Sequence, residues 1–256
     1  MFQSRCLKTV LLLPIVFFAG CLRPRPATAP IPTLSLPGAG PAKTLVVLLP
    51  GRRDRPEDFR RFDFPGLAAR AGAQVDMVAV DAHLGYYFNR TIVDRLHDDV
   101  IAPARGRYDR IWLVGISIGG TGAILYANQH PEDVDGILLL APFLGEEKVI
   151  DEIAGAGGLR GWVPPGTIAP DDFQRRMWAW LKGYEGGSAG KIPLYLGWGR
   201  SDSFARANGM LGQVLPPDRV FTAPGGHGWK AWKAVWEMFL KTGALSRGPA
   251  AAVPPG

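Results

Sequence analysis

Of the seven serines in this 256-residue chain, Ser117 has the surroundings in which a hydroxyl can act as a nucleophile. Ile111 to Val114 is a short apolar run that reads as a buried strand, and Thr121 to Gln129 carries apolar residues at helical spacing. The segment Gly115-Ile116-Ser117-Ile118-Gly119 therefore falls on a sharp strand-to-helix turn, the arrangement of a nucleophile elbow. Such a turn forces the serine into a strained backbone conformation and holds its hydroxyl out above the sheet. Glycine is needed on either side because a Cβ there would collide across the turn. The same G-x-S-x-G spacing recurs at Gly186, Ser188 and Gly190, and with 33 glycines in the chain chance supplies roughly 0.1 such matches, so context has to decide. Ser188 follows a helical stretch (Phe173 to Tyr184) and precedes a strand (Ile192 to Gly197), the reverse of the required order, and reads as part of a loop.

A serine hydroxyl is a poor nucleophile at neutral pH. An imidazole has to take its proton, and a carboxylate has to fix the imidazole's tautomer and stabilise its charged form. The chain offers four histidines: His83 at a strand end, His97 inside a helical stretch, His130 at a helix end before Pro131, and His227 in Gly225-Gly226-His227-Gly228-Trp229. Carboxylates in range of a strand end are Asp81 and Asp202, with Asp171 and Asp172 between them in the insertion ahead of the Ile192 to Gly197 strand. No H-E-x-x-H, C-x-x-C or glycine-rich phosphate loop is present, so the sequence gives no metal set and no cofactor.

The elements that must position these groups alternate. Strands read at Thr44 to Leu49, Val75 to Val80, Ile111 to Val114, Gly136 to Ala141, Ile192 to Gly197 and Arg219 to Thr222. Helices read at Pro56 to Ala71, Ile92 to Ala104, Thr121 to Gln129 and Trp229 to Lys241. This order implies an α/β fold with a mostly parallel central sheet and helices on both faces, its functional groups at the carboxyl ends of the strands. Between residues 146 and 190 lies an insertion with Phe173, Met177, Trp180, Leu181 and Tyr184 at helical spacing, either a small lid or a helix packed on the sheet between long loops. Trp229, Trp232 and Trp236 form a stripe on the last helix that reads as core.

From the elbow, the alternation and the Gly-Gly-His-x-Trp segment, the stretch 43–243 resembles the α/β-hydrolase superfamily, and the last of these motifs is similar to that of esterases of the esterase D type. The resemblance implies a chain order of nucleophile, acid, histidine. Ser117, Asp202 and His227 fit it, each after a strand. It also implies an oxyanion hole built from the N–H of Ile118 and an N–H after the Thr44 to Leu49 strand, most directly that of Arg52. Gly51 would allow the turn, while Pro50 departs from the family's usual histidine. Gly51, His83, Tyr86 and Trp229 are the accompanying candidates for lining the substrate site.

The ends of the chain carry a different message. Arg5 and Lys8 precede an apolar stretch, Val10 to Ala19, that is too short to span a bilayer and closes on Phe18-Ala19-Gly20-Cys21. Residues 1–20 read as a secretory signal whose ending resembles a bacterial lipobox, which implies cleavage before Cys21 and a lipid on that cysteine. The product is an exported, membrane-anchored lipoprotein. It retains 236 residues and, with Cys6 gone, no intrachain disulfide. Residues 22–42 hold six prolines and no acid and read as an unfolded spacer with a reach of at most ~65 Å at ~3.1 Å per residue. Residues 244–256 read as a disordered tail. Removing Arg5 and Lys8 leaves +4 of the formal +6 charge, too little to indicate a nucleic-acid partner. Arg52, Arg53, Arg55, Arg60 and Arg61 form a basic cluster, read either as a solvated face paired with Asp54, Glu57 and Asp58 or as an attraction toward anionic substrates or headgroups.

Together these features describe a serine hydrolase that cleaves a carboxylic ester or thioester through an acyl-enzyme. Its partners would be a small-molecule ester or acyl substrate and, through Cys21, a lipid bilayer. An acyltransferase with the same triad and a non-catalytic binding module on the same fold are the alternatives.

Overall fold

The computed structural model describes residues 25–38, 40–187 and 191–246. A seven-stranded sheet runs through them: β1 (Thr33–Leu36), β2 (Thr44–Leu49), β3 (Val75–Val80), β4 (Arg110–Ile116), β5 (Gly136–Leu140), β6 (Leu194–Gly199) and β7 (Val220–Ala223), in the spatial order β1-β3-β2-β4-β5-β6-β7. Strands β2 to β7 are parallel to their neighbours and β1 is antiparallel to β3. All residues of β2, β5 and β6 are buried. Their sequences are near-continuous apolar runs rather than alternating ones because both faces of the sheet are covered.

The helices are α1 (Pro56–Arg61), α2 (Phe64–Arg70), α3 (Leu84–Phe88), α4 (Ile92–Leu96), α5 (Ala102–Ala104), α6 (Ile118–Gln129), α7 (Glu147–Gly155), α8 (Phe173–Lys182), α9 (Ala205–Gly212) and α10 (Trp229–Lys241). Helix α6 packs on β2, β4 and β5 and meets α4 and α8, whereas α10 packs on β6 and β7 and meets α2. These two groups of helices cover the two faces. The helix expected over 56–71 is broken at Phe62 and Asp63, where Asp63 takes φ 64°. Pro65 lies in the first turn of the second piece, the position where its missing N–H does least harm. The stretch 92–104 widens into a π turn at His97–Ile101, just ahead of Pro103, which has no amide to give a regular helix. Strand β6 starts at Leu194 rather than Ile192, after Pro193, which cannot donate to the ladder.

The insertion forms α7 and α8. Met177, Trp178 and Leu181 of α8 are fully covered, and the Trp178 indole donates to Leu144 O at 2.7 Å. Arg175 bridges Glu152 and Asp172, and its hydrogen bonds hold both carboxyls below the usual range. In the structure the second helix of the insertion is packed on the domain through Met177, Trp178 and Leu181.

Two expectations are corrected. Residues 25–38 are not a free spacer: β1 pairs with β3 from Thr33↔Val80 to Leu36↔Met77, and Ile31 and Leu36 are buried. Arg25 makes a two-pronged ion pair with Asp81 (2.9 and 2.8 Å), and the Ile31 N–H donates to Asp99 at 2.8 Å. The prolines flank rather than interrupt Thr33–Leu36, and an edge strand tolerates that. At the other end, Ala244 and Leu245 are buried, and Leu245 O accepts from Arg110 at 2.6 Å, so the fold continues past the expected start of the tail. The signal segment, Cys21, Ser188 and residues 247–256 lie outside the described residues. No described helix is long and apolar enough to cross a membrane.

A chain begun at Arg25 is therefore expected to be more stable than one begun at Ala42. Loss of buried Ile31 and Leu36 alone is worth roughly 1.5–3 kcal/mol each, before the exposed β3 edge is counted. Urea denaturation of the two fragments checks this, and equal midpoints would return residues 25–41 to the status of a spacer.

Candidate active site

Ser117 joins β4 to α6 at φ 53°, ψ −117°, a positive-φ conformation that a side-chain-bearing residue adopts only when its surroundings enforce it. Its N–H donates to Leu140 O (3.0 Å), and its carbonyl accepts from Gly120 (2.9 Å) and Phe143 (3.0 Å). A Cβ on Gly115 would strike Gly119 O and lie 2.6 Å from Gly120 Cα. One on Gly119 would strike Leu49 O and lie 2.6 Å from Pro50 O. Both obstacles are backbone, which cannot swing aside. A second strained residue, Ala141 at φ 46°, turns the chain out of β5 so that Phe143 reaches the Ser117 carbonyl. Thr121 Oγ1 donates to Phe143 O at 2.5 Å and closes this brace.

The other two groups arrive from neighbouring strand ends. Asp202 sits three residues past β6, its N–H bonded to Gly199 O at 2.9 Å and its side chain fully covered. Oδ1 accepts the N–H of Phe204 at 2.8 Å. His227 follows β7. Its Nδ1 lies 3.0 and 2.9 Å from the two Asp202 oxygens, and its Nε2 lies 3.0 Å from Ser117 Oγ. A carboxylate that only accepts makes Nδ1 the donor, which leaves Nε2 free to accept the serine proton. Phe204 (centroids 4.8 Å, 74°) and Trp232 (5.1 Å, 87°) meet the imidazole edge to face and restrict its rotation. Sequence reasoning missed both of these ring contacts, which come from residues two and five positions away from the catalytic candidates.

Residues 50–54 form the loop after β2. A Cβ on Gly51 would lie 3.5 Å from the Ser117 Cβ, so this backbone passes directly beside Ser117. The turn closed by Asp54 N–H to Gly51 O (3.1 Å) leaves the Arg52 N–H out of its own hydrogen bond. Ile118 is the first residue of α6, where an N–H has no acceptor within its helix. Of the two expected oxyanion donors, Ile118 belongs to the elbow itself, and Arg52 is the chain neighbour of Gly51, whose backbone lies against it. Asp54 itself was grouped with the arginines, but its Oδ1 accepts the Trp229 indole N–H at 2.8 Å. In the basic cluster the ion pair with the expected acids is Arg61 to Asp58 at 3.9 Å.

In sequence, no protein-family model and no curated protein matches this chain. Solved structures match it in shape. An S-formylglutathione hydrolase from Staphylococcus aureus is 16% identical over 80% of this chain and 82% of its own, with a TM-score of 0.56. Est1E from Butyrivibrio proteoclasticus gives 16%, 86%, 98% and 0.55 for the same measures. Fluorophosphonate-binding serine hydrolase F from Staphylococcus aureus gives 14%, 84%, 99% and 0.53. The chain has the α/β-hydrolase fold.

On this fold the remaining candidates have structural contacts. Tyr86, expected to line the substrate site, is completely buried, and its hydroxyl is held by Thr28 through the backbone at 3.2 Å and through Oγ1 at 3.1 Å. His83 caps α3 by accepting the Gly85 N–H at 3.1 Å, and burial with the nearby Arg25 charge lowers its pKa. Trp229 stacks on Phe62 at 4.4 Å. Among the described residues one group, His97, His130 and Asp133, brings possible metal-ligand atoms within 4.8 Å of one another. It lies at the far end of α6 from Ser117. Tyr126 donates to Asp133 at 2.9 Å and Arg105 lies 3.4 Å from it, so that carboxylate already has a donor and a cation.

The elbow makes a direct stability test. Gly119→Ala is expected to destabilise the protein by about 1–3 kcal/mol or more through overpacking against backbone. Gly209→Ala, where nothing lies within 4 Å of the new methyl, should instead gain up to ~1 kcal/mol from helix propensity in α9. Thermal melts of both variants check the pair, and a Gly119→Ala protein as stable as wild type would contradict the packing described.

Proposed function

We propose that the protein is a serine hydrolase that cleaves a carboxylic ester or thioester through an acyl-enzyme. The observation that carries this reading is the unbroken chain Ser117 Oγ, His227 Nε2, His227 Nδ1, Asp202, with every link at 2.9–3.0 Å. In this mechanism Ser117 attacks the acyl carbon as its proton passes to His227. Asp202 stabilises the imidazolium, and the N–H groups of Ile118 and Arg52 receive the developing oxyanion, at ~3 kcal/mol for each such donor. The imidazolium then protonates the leaving alcohol or thiol, and a water activated by the same histidine releases the acid and restores the serine. Solved structures of the same fold whose names include an S-formylglutathione hydrolase and a ferulic acid esterase support ester-type substrates.

We further propose export and lipid anchoring at Cys21, on the basis of the signal-like leader and its lipobox-like ending. In that case only Leu22, Arg23 and Pro24 separate the anchor from Arg25, which is ion-paired to Asp81 at the carboxyl edge of the sheet. A tether that can reach at most about 14 Å, at ~3.4 Å per residue, would keep the candidate site near the bilayer surface instead of up to ~65 Å away.

A fluorophosphonate probe is expected to label Ser117, with the adduct recovered by peptide mass spectrometry, and to leave Ser117→Ala unlabelled. Asp202→Asn should retain the fold and lower turnover of a short-chain aryl ester by about 10⁴-fold, as in a related triad. Undiminished labelling of Ser117→Ala, or near-wild-type turnover in Asp202→Asn, would remove that residue from its role. For the anchor, Cys21→Ser is expected to leave the membrane fraction or to stay unprocessed. A wild-type protein that carries no lipid, beside a variant that stays membrane-bound at unchanged mass, would refute it.

A further inference from the structure

The loop that carries His227 has a long way to come. It leaves β7, which β6 and β5 separate from β4, and at ~4.8 Å per strand it must lean about 14 Å back over the sheet edge to reach Ser117. Its residues Pro224-Gly225-Gly226-His227-Gly228 have almost no side chains with which to hold themselves. On the β6 side the backbone is tied down, with Ser201 N–H donating to Gly225 O at 2.9 Å and a Cβ on Gly199 lying 2.6 Å from Gly226 O. On the opposite side, toward β2, the tie is the indole of Trp229, two residues past His227.

That indole is gripped twice. Its face stacks on Phe62 (4.4 Å, 6°) and its edges meet Phe59, Phe64 and Trp232 at 5.4–5.6 Å, which fixes the ring but gives its N–H no partner. The partner is Asp54 Oδ1 at 2.8 Å, on the same turn that offers the Arg52 N–H. Resting on the serine-hydrolase reading above, we infer that Asp54 is a positioning residue. Through its hydrogen bond to Trp229 it sets the distance between the oxyanion loop and the loop that holds the catalytic base.

The chemistry of the group suits that task. A carboxylate is acceptor-only and can take the Trp229 N–H while it also faces the Gly51 N–H, whereas an amide would turn a donor toward one of them. Burial pushes the Asp54 carboxyl above the usual carboxylate range, with Trp229 pulling against that rise, Asp58 adding to it, and Gly51 and His227 opposing it. Because the folded-state pKa is raised, ionised Asp54 detracts from stability, a cost absent below the unfolded value of ~3.9 that builds between that value and the folded pKa and stays constant above it. A charge kept at such a cost beside an active site is consistent with a functional use.

Misplacement of a catalytic group by about 1 Å costs on the order of 10²-fold in rate. Asp54→Ala and Trp229→Phe, the latter keeping the ring and losing the N–H, are expected each to lower kcat about tenfold or more with KM within about twofold. Asp54→Asn should fall between Asp54→Ala and wild type. The double variant should be no slower than the slower single one, since both remove the same bond. Hydrogen exchange, which does not depend on activity, should rise in residues 50–54 and 225–229 in both single variants. Unchanged kcat in either single variant, losses that multiply in the double one, or unchanged exchange in these two loops would each overturn the inference. A wild-type enzyme that neither hydrolyses esters nor labels would instead sink the hydrolase reading, and the exchange arm alone would then decide whether Asp54 braces the loops.

Discussion

One backbone conformation governs the neighbourhood of the candidate site: Ser117, a residue with a side chain, held at φ 53°. To keep it there the protein surrounds it with backbone rather than side chains. Glycines at 115 and 119 let β4, α6 and the end of β2 approach to distances that no Cβ permits, and Gly120 fits beneath Pro142, where a Cβ would lie 2.8 Å from the proline's. The strain is shared, because Ala141 also sits at positive φ and through it β5 supplies the Phe143 N–H to the Ser117 carbonyl. Strain of this kind costs of order 1–3 kcal/mol per residue and persists only where surrounding structure over-determines it. Here three adjacent strands do so.

Fixing Ser117 leaves the opposite problem for His227. The histidine cannot lie on a strand of its own beside β4, since β2 and β5 already flank that strand. It comes instead on a glycine-rich loop from the edge of the sheet and is caught by rings and carboxylates. Phe204, itself against Phe143 at 5.6 Å, connects the imidazole back to the brace around the elbow. Trp232 and Trp229 connect it to the aromatic cluster of α1 and α2. The tryptophans of α10 thus serve the core and, from the same faces, hold the imidazole.

What the sequence disclosed and what it hid divide along physical lines. Strands β2 and β3 and helix α10 were legible to the residue, because a fully buried strand reads as an unbroken apolar run, a partly covered one alternates, and an amphipathic helix imposes its period on the chain. The elbow was legible because steric exclusion leaves glycine as the residue that fits. Strand β1 was not: its four residues bury little beyond Leu36, and only pairing with β3, more than forty residues away, makes them a strand. Ala244 and Leu245 were hidden for the same reason, their partner Arg110 lying on β4. Tyr86 reads as a polar aromatic near a strand end, and nothing local reveals that Thr28 closes over it. Side-chain type marks what a residue can do, while non-local contact settles whether it is free to do it.

Three aspartates that follow strands show that distinction at its sharpest. Asp81 after β3, Asp54 after β2 and Asp202 after β6 all stand past the carboxyl ends of parallel strands, where fold alone would allow any of them a chemical role. Their donors separate them. Asp81 faces a guanidinium, whose permanent charge and two-pronged geometry neutralise the carboxylate and leave it holding the amino-terminal segment in place. Asp202 faces an imidazole, and in the mechanism proposed above its negative charge is worth more at the moment His227 takes a proton than before. Asp54 faces an indole, which donates but never ionises, so the bond can fix a distance without taking part in proton transfer. The same side chain at equivalent places in the fold therefore anchors, activates or aligns according to the group that another part of the chain delivers to it.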